Sequence, residues 1–281
     1  MIRRPPYQRE HRRPGCTAIV KAGLCTLAAA LVGACADGPD ARYYYPVADL
    51  TDGLVYAYEP APPLGGAPHY WYYRSVETPD STLLISTYYD AQFEPRQLVR
   101  ERIVTQGSLL RDLRLYFPTA SGESAATQAE VLQPALFSFE APDPERLLVS
   151  AVRVAPGFGE GRPGAGEDTL SQNPPSARYT VTRNRHYRRD TTYVLDGVAL
   201  AAQVWDVREL TEQDSLGVLA IESRAVEVYA EGVGLVYRER RFDNGEGEAY
   251  RLAARMPMDS LGVLAGGGGD GADAPRMKRR G

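Results

Sequence analysis

The sequence predicts a mainly β protein with little helix, an antiparallel meander forming a curved half-barrel or a sandwich. The first observation behind this is a recurrence of runs rich in Tyr, Val, Leu, Ile and Thr, broken by Gly, Pro, Asp and Asn, the pattern of strands and turns. The second is that no stretch holds helical spacing over three turns without a competing alternation, so the strands follow one another through hairpins rather than through crossover helices. The third is turn chemistry. Asp196-Gly197 is a pair that populates the type I′ hairpin turn, whose central residues both need positive φ, and Gln106-Gly107 separates two alternating runs of similar length.

In chain order the candidate strands are 54–59, 70–77, 82–90, 97–105, 109–117, 135–140 and 146–155, then 178–183, 192–195, 199–210, 220–230, 235–242 and 249–255. Residues 157–168 carry five glycines and a proline, and are expected to form a flexible loop over a sheet edge rather than a linker between two domains. Together these place one antiparallel β domain over 51–258. Residues 259–281 read as a Gly-rich tail with a basic end. Asp-Ser-Leu-Gly-Val-Leu-Ala occurs at 214–220 and again at 259–265, and two copies do not make a repeat architecture.

Ahead of the β domain, residues 1–34 have the three parts of an export signal: a basic stretch ending at Lys21, an apolar run over 22–32, and small residues before a break. The apolar run is too short to cross a bilayer core, which takes about 20 residues. Val32-Gly33-Ala34-Cys35 resembles the bacterial lipobox, with an aliphatic residue, two small ones and then cysteine. The resemblance implies cleavage after Ala34 and acylation of Cys35, leaving 35–50 as a lipidated tether. Ala36 stands where inner-membrane lipoproteins carry aspartate, which favours the outer membrane. Cys16, Cys25 and Cys35 are the only cysteines, so the processed domain has no thiol for a disulfide, a metal site or a nucleophile apart from the lipid site.

Without residues 1–34 the chain holds 26 cations against 35 acids, a formal charge of −9, which argues against a nucleic-acid partner, since such binding draws its affinity from basic surface. Only Lys21 and Lys278 are lysines; the arginine excess reads as coding bias.

The inventory of reactive groups points away from an enzyme. His69 and His186 are the only histidines after Cys35; neither has a partner at metal-ligand spacing, and each reads as a surface residue of a strand or turn. Gly232-Val233-Gly234 lacks the third glycine and the following helix of a dinucleotide site, and reads as a tight turn joining two strands. No cofactor is implied. Tyr43-Tyr44-Tyr45, Tyr70-Trp71-Tyr72-Tyr73 and Tyr88-Tyr89 are the remaining handle. Side chains alternate along a strand, so Trp71 and Tyr73 share one face, the candidate ligand-binding pair, with Tyr70 and Tyr72 on the other.

The stretch 226–236, with the hairpin at 192–197 upstream, resembles the terminal hairpins of a group of uncharacterised envelope lipoproteins. These are similar to the antiparallel half-barrels of the LolA/LolB lipoprotein carriers, which cup hydrophobic ligands. The carriers' helices over the concave face are not evident here. The expectation is a non-enzymatic lipoprotein of the cell envelope, anchored to the membrane through Cys35 and binding an apolar or lipid-like ligand. The alternative is a scaffold that joins an envelope complex through a protein partner, without a small ligand.

Overall fold

The computed structural model describes residues 40–118, 124–155, 178–214 and 219–261. Cys35, the 157–168 segment, both termini and most of the repeated heptapeptide lie outside the described residues. Thirteen strands form one antiparallel sheet: β1 (Leu54–Pro60), β2 (His69–Thr78), β3 (Ser81–Tyr89), β4 (Pro95–Val104), β5 (Gly107–Pro118), β6 (Ser124–Gln128) and β7 (Glu130–Ser138), then β8 (Leu147–Val154), β9 (Arg178–Leu195), β10 (Val198–Asp214), β11 (Leu219–Ala230), β12 (Gly234–Phe242) and β13 (Gly247–Met256). Among the described residues, helix is confined to short 3₁₀ turns at Ala41–Tyr43 and Val47–Leu50 and one turn at 258–261.

The antiparallel, helix-poor class is as the sequence predicts, and the curvature goes further than a half-barrel or sandwich. β1 pairs with β13, bringing Val55 opposite Met256, and β5 pairs with both β4 and β7, so every strand except β6 joins one closed ring. Closure removes sheet edges round the body of the ring, and the end of β9 beyond His186 extends past β8. The Asp196-Gly197 turn forms as expected, with φ of 50° and 79°, between Leu195 and Val198. Gly232 and Gly234 also take positive φ in the turn between β11 and β12.

The outside of the ring suits water. Arg208 pairs with Glu222 of the neighbouring strand at 2.7 Å and Arg241 with Glu239 along β12 at 2.8 Å, where a membrane-spanning barrel would present an apolar band. No helix among the described residues is long and apolar enough to cross a membrane.

Of the segment expected to run as a tether, residues 40–50 are packed into one end of the ring. Tyr43, Tyr44 and Tyr45 are buried and Leu50 is fully so. The Gly232 amide donates to the Arg42 carbonyl at 2.8 Å and the Asp40 amide to Phe139 at 3.2 Å, tying the segment to the turns at that end. Tyr45 stacks on Tyr73 with ring centres 4.2 Å apart, and their hydroxyls meet at 2.6 Å. Tyr44 packs between Phe137 and Phe139 and donates its hydroxyl to Glu101 at 2.5 Å. Gly234 is required here: its φ is +95°, and a Cβ on it would lie 2.5 Å from the Tyr45 ring. The segment is a plug made of aromatic rings.

Candidate functional site

Beyond the plug the ring encloses a cavity of about 460 Å³, within the roughly 300–1,000 Å³ typical of small-ligand sites. Its wall changes character around the circumference. On β4, β5, β7 and β8 it is mainly aliphatic, with Val99, Leu110, Leu113, Leu115, Leu136 and Val152 facing in and Gln97, Glu101 and Ser150 as polar interruptions. A bulge in the β4–β5 pairing lets Leu110, Leu113 and Leu115 all face inward: Arg100 pairs with Asp112 but Glu101 pairs with Leu110, so Arg111 is the extra residue and the alternation resets across it.

β1 to β3 and β13 supply the aromatic wall. Trp71 and Tyr73 both line the cavity, with near-parallel rings 5.9 Å apart, so they share the inner face. Tyr70 instead stacks on Phe93, and a Cβ on Gly53 would run into Tyr72, which places that pair away from the cavity. His69 lines the cavity too, which corrects its reading as a surface residue. Its ring stacks on Tyr58 at 5.1 Å and meets Tyr250 edge-on at 4.3 Å. Burial, reinforced by the Arg238 charge, lowers its pKa to about 4, so the ring is neutral at physiological pH. His186 lies apart on the outside beside Asp206, and no group of three His, Cys, Asp or Glu side chains among the described residues could hold a metal ion.

The third wall, on β9 to β13, is charged. Glu209 accepts from Arg183 Nε at 2.9 Å and Nη2 at 2.5 Å on one oxygen and from Arg240 on the other. These two arginines outweigh the burial of the carboxyl and hold it at a pKa of about 2. Glu227, fully buried, takes Arg185 at 3.0 Å and the Tyr229 hydroxyl at 3.0 Å, and its pKa is also lowered because these charges outweigh desolvation. Tyr250 donates to Glu248 at 3.2 Å. Glu101, at the plug, is pushed up by burial, with the Tyr44 hydrogen bond opposing.

Sequence reasoning missed this charged wall. Arg183 and Arg185 alternate with Thr182 and Asn184, so neither face of the strand is apolar and the period-two signal vanishes. Ion pairs in a barrel interior do not generally stabilise relative to well-packed apolar residues of the same volume. A cluster of four inward arginines is therefore not explained by stability alone.

The molecule is thus a closed antiparallel β-barrel with an amphipathic internal cavity. No known protein-family pattern and no curated protein sequence matches the chain. Among solved structures, it is similar to a candidate lipoprotein from Parabacteroides distasonis, with TM-score 0.45 and 12% identity over 75% of this chain and 95% of that one. It is also similar to a candidate exported protein with a YmcC-like fold from Bacteroides fragilis, with TM-score 0.42 and 14% identity over 73% of this chain and 94% of that one. Likenesses at this level carry no functional argument, which rests instead on the cavity.

Proposed function

We propose that the protein is a non-enzymatic lipoprotein of the bacterial cell envelope whose barrel holds an apolar or lipid-like ligand. The observation that carries this reading is the cavity: a space of ligand size inside the ring whose wall on β4, β5, β7 and β8 is mainly aliphatic, facing aromatic rings that include Trp71 and Tyr73. Apolar surface held away from water in this way gains about 25 cal/mol for each Å² covered when a ligand fills it. The lipobox supports the anchor, and Ala36 favours the outer membrane. Acyl chains on Cys35 would each add about 0.8 kcal/mol per buried methylene, so two or more hold the chain on the bilayer.

The reading is tested in two parts. Protein carrying Cys35→Ser should leave the membrane fraction; if its processing and fractionation are unchanged, the anchor is wrong. Native mass spectrometry of the same protein, purified without detergent, should show a bound small apolar species or uptake of an added one. A domain that takes up none, yet crosslinks to another envelope protein in cells, would establish the scaffold role in its place.

A further inference from the structure

We propose that the ligand is an acidic, single-chain amphiphile, its anionic head held by Arg238 and its chain laid against the aliphatic wall on β4, β5 and β8. This inference rests on the cavity being a ligand site and adds the charge and orientation of what fills it.

The first argument is the accounting of charge on β9 to β13. Four arginines face in, Arg183, Arg185, Arg238 and Arg240, against Glu209, Glu227 and Glu248 on the same wall and Glu101 on β4, which is engaged by the Tyr44 hydroxyl of the plug. Glu209 is taken by Arg183 and Arg240, and Glu227 by Arg185 and Tyr229. Arg238 is left over: its acidic neighbour within ion-pair range is the already engaged Glu227, at 3.8 Å. Its Nε is buried without a hydrogen-bond partner among the described residues. Glu248 lies on the adjoining strand and accepts from Tyr250, so it does not saturate the guanidinium. A part-buried guanidinium whose Nε is shut away from water without a partner is costly unless something else pairs with it. Arginine's planar fork matches a carboxylate or a phosphate.

The second argument is placement. β12, which carries Arg238, lies half-way round the ring from β5, which carries Leu110, Leu113 and Leu115. Head and chain of one ligand therefore find their partners on opposite walls. Neutral His69 and the hydroxyls of Tyr88 and Tyr250 flank the head position with further hydrogen-bonding groups and add no competing positive charge. The volume suits one slender chain rather than a lipid with several.

The test uses the full chain carrying Cys35→Ser, free of detergent, titrated by calorimetry with laurate, lauryl phosphate, lauryl alcohol and laurylamine. The anionic probes should bind tighter than the alcohol by about tenfold to a hundredfold, the worth of a hydrogen bond to a charged group. Arg238→Gln should erase that preference while leaving the alcohol's affinity in place. Which anion binds tighter separates a carboxylate source from a phosphate source. Equal binding of laurate and lauryl alcohol, or a preference for laurylamine, overturns the acidic head and leaves the apolar-ligand reading standing. Binding of none of the four overturns both. A folding defect in Arg238→Gln is bypassed in the unsubstituted site, where laurate should raise the His69 ring pKa from about 4, followed by NMR; an unmoved His69 titration in the presence of bound laurate also overturns the proposal.

Discussion

His69 allows a sharp test of the barrel interior through the dependence of stability on pH. Its folded pKa is about 4 against 6.5 for the free side chain, because burial and Arg238 disfavour the imidazolium. Between those values the unfolded chain binds a proton that the folded barrel refuses, so stability falls as the pH drops from 6.5 towards 4 and is unaffected by this group above that window. At 1.36 kcal/mol per pKa unit the loss between pH 7 and pH 5 comes to about 2 kcal/mol, approaching about 3 kcal/mol at the lower end. Urea unfolding at pH 7 and pH 5, with wild type and His69→Phe measured side by side, reads this difference directly. Glu101 acts in the opposite direction, since burial raises its pKa, and Glu209 titrates below the window, so the comparison between the two proteins isolates the histidine. Phenylalanine keeps a ring between Tyr58 and Tyr250 and titrates nothing. If both proteins lose the same stability between the two pH values, His69 is not buried in the cavity as described.

Three further outcomes follow from the same interior. Glu209→Gln should lower stability by about 3–5 kcal/mol at pH 7, seen as a drop in urea midpoint, because it leaves the buried Arg183 and Arg240 without their counter-charge. Tyr44→Phe should cost about 1–3 kcal/mol by the same assay, since the buried Glu101 loses the Tyr44 hydrogen bond. Gly234→Ala should loosen the plug, because the backbone there is left-handed and the new Cβ collides with Tyr45. Proteolysis within residues 40–50 should quicken in this variant, while a Gly197→Ala control at the open hairpin tip should leave the plug as protected as in wild type.

Much of the strand order was legible because most strands carry a local signal. Val226 to Tyr229 and Leu235 to Tyr237 alternate around a glycine turn, and Asp196-Gly197 states its own geometry. What escaped the sequence has physical causes. β9 is one strand of 18 residues, whereas the pattern supported only its two ends. Its middle, Asn184-Arg185-His186-Tyr187-Arg188, has water on one face and the charged cavity on the other, so hydrophobic alternation has nothing to report. β6, Ser-Ala-Ala-Thr-Gln, is short and pairs only with β5, leaving no apolar face to detect. Closure of the ring depends on contacts such as Val55 with Met256, at opposite ends of the domain, and no local window contains both. The same non-locality hid the site. Trp71 and Tyr73 could be put on one face by parity, but their proximity to Arg238 arises only when β1 joins β13.

The plug would also fix which way a barrel anchored through Cys35 looks. Asp40 is five residues beyond Cys35, a span of at most about 18 Å when fully extended. An acylated Cys35 would therefore hold the Tyr43–Tyr45 end close to the bilayer and turn the Arg240 end of the cavity towards the aqueous space. Such an anchor would set a heading as well as an address.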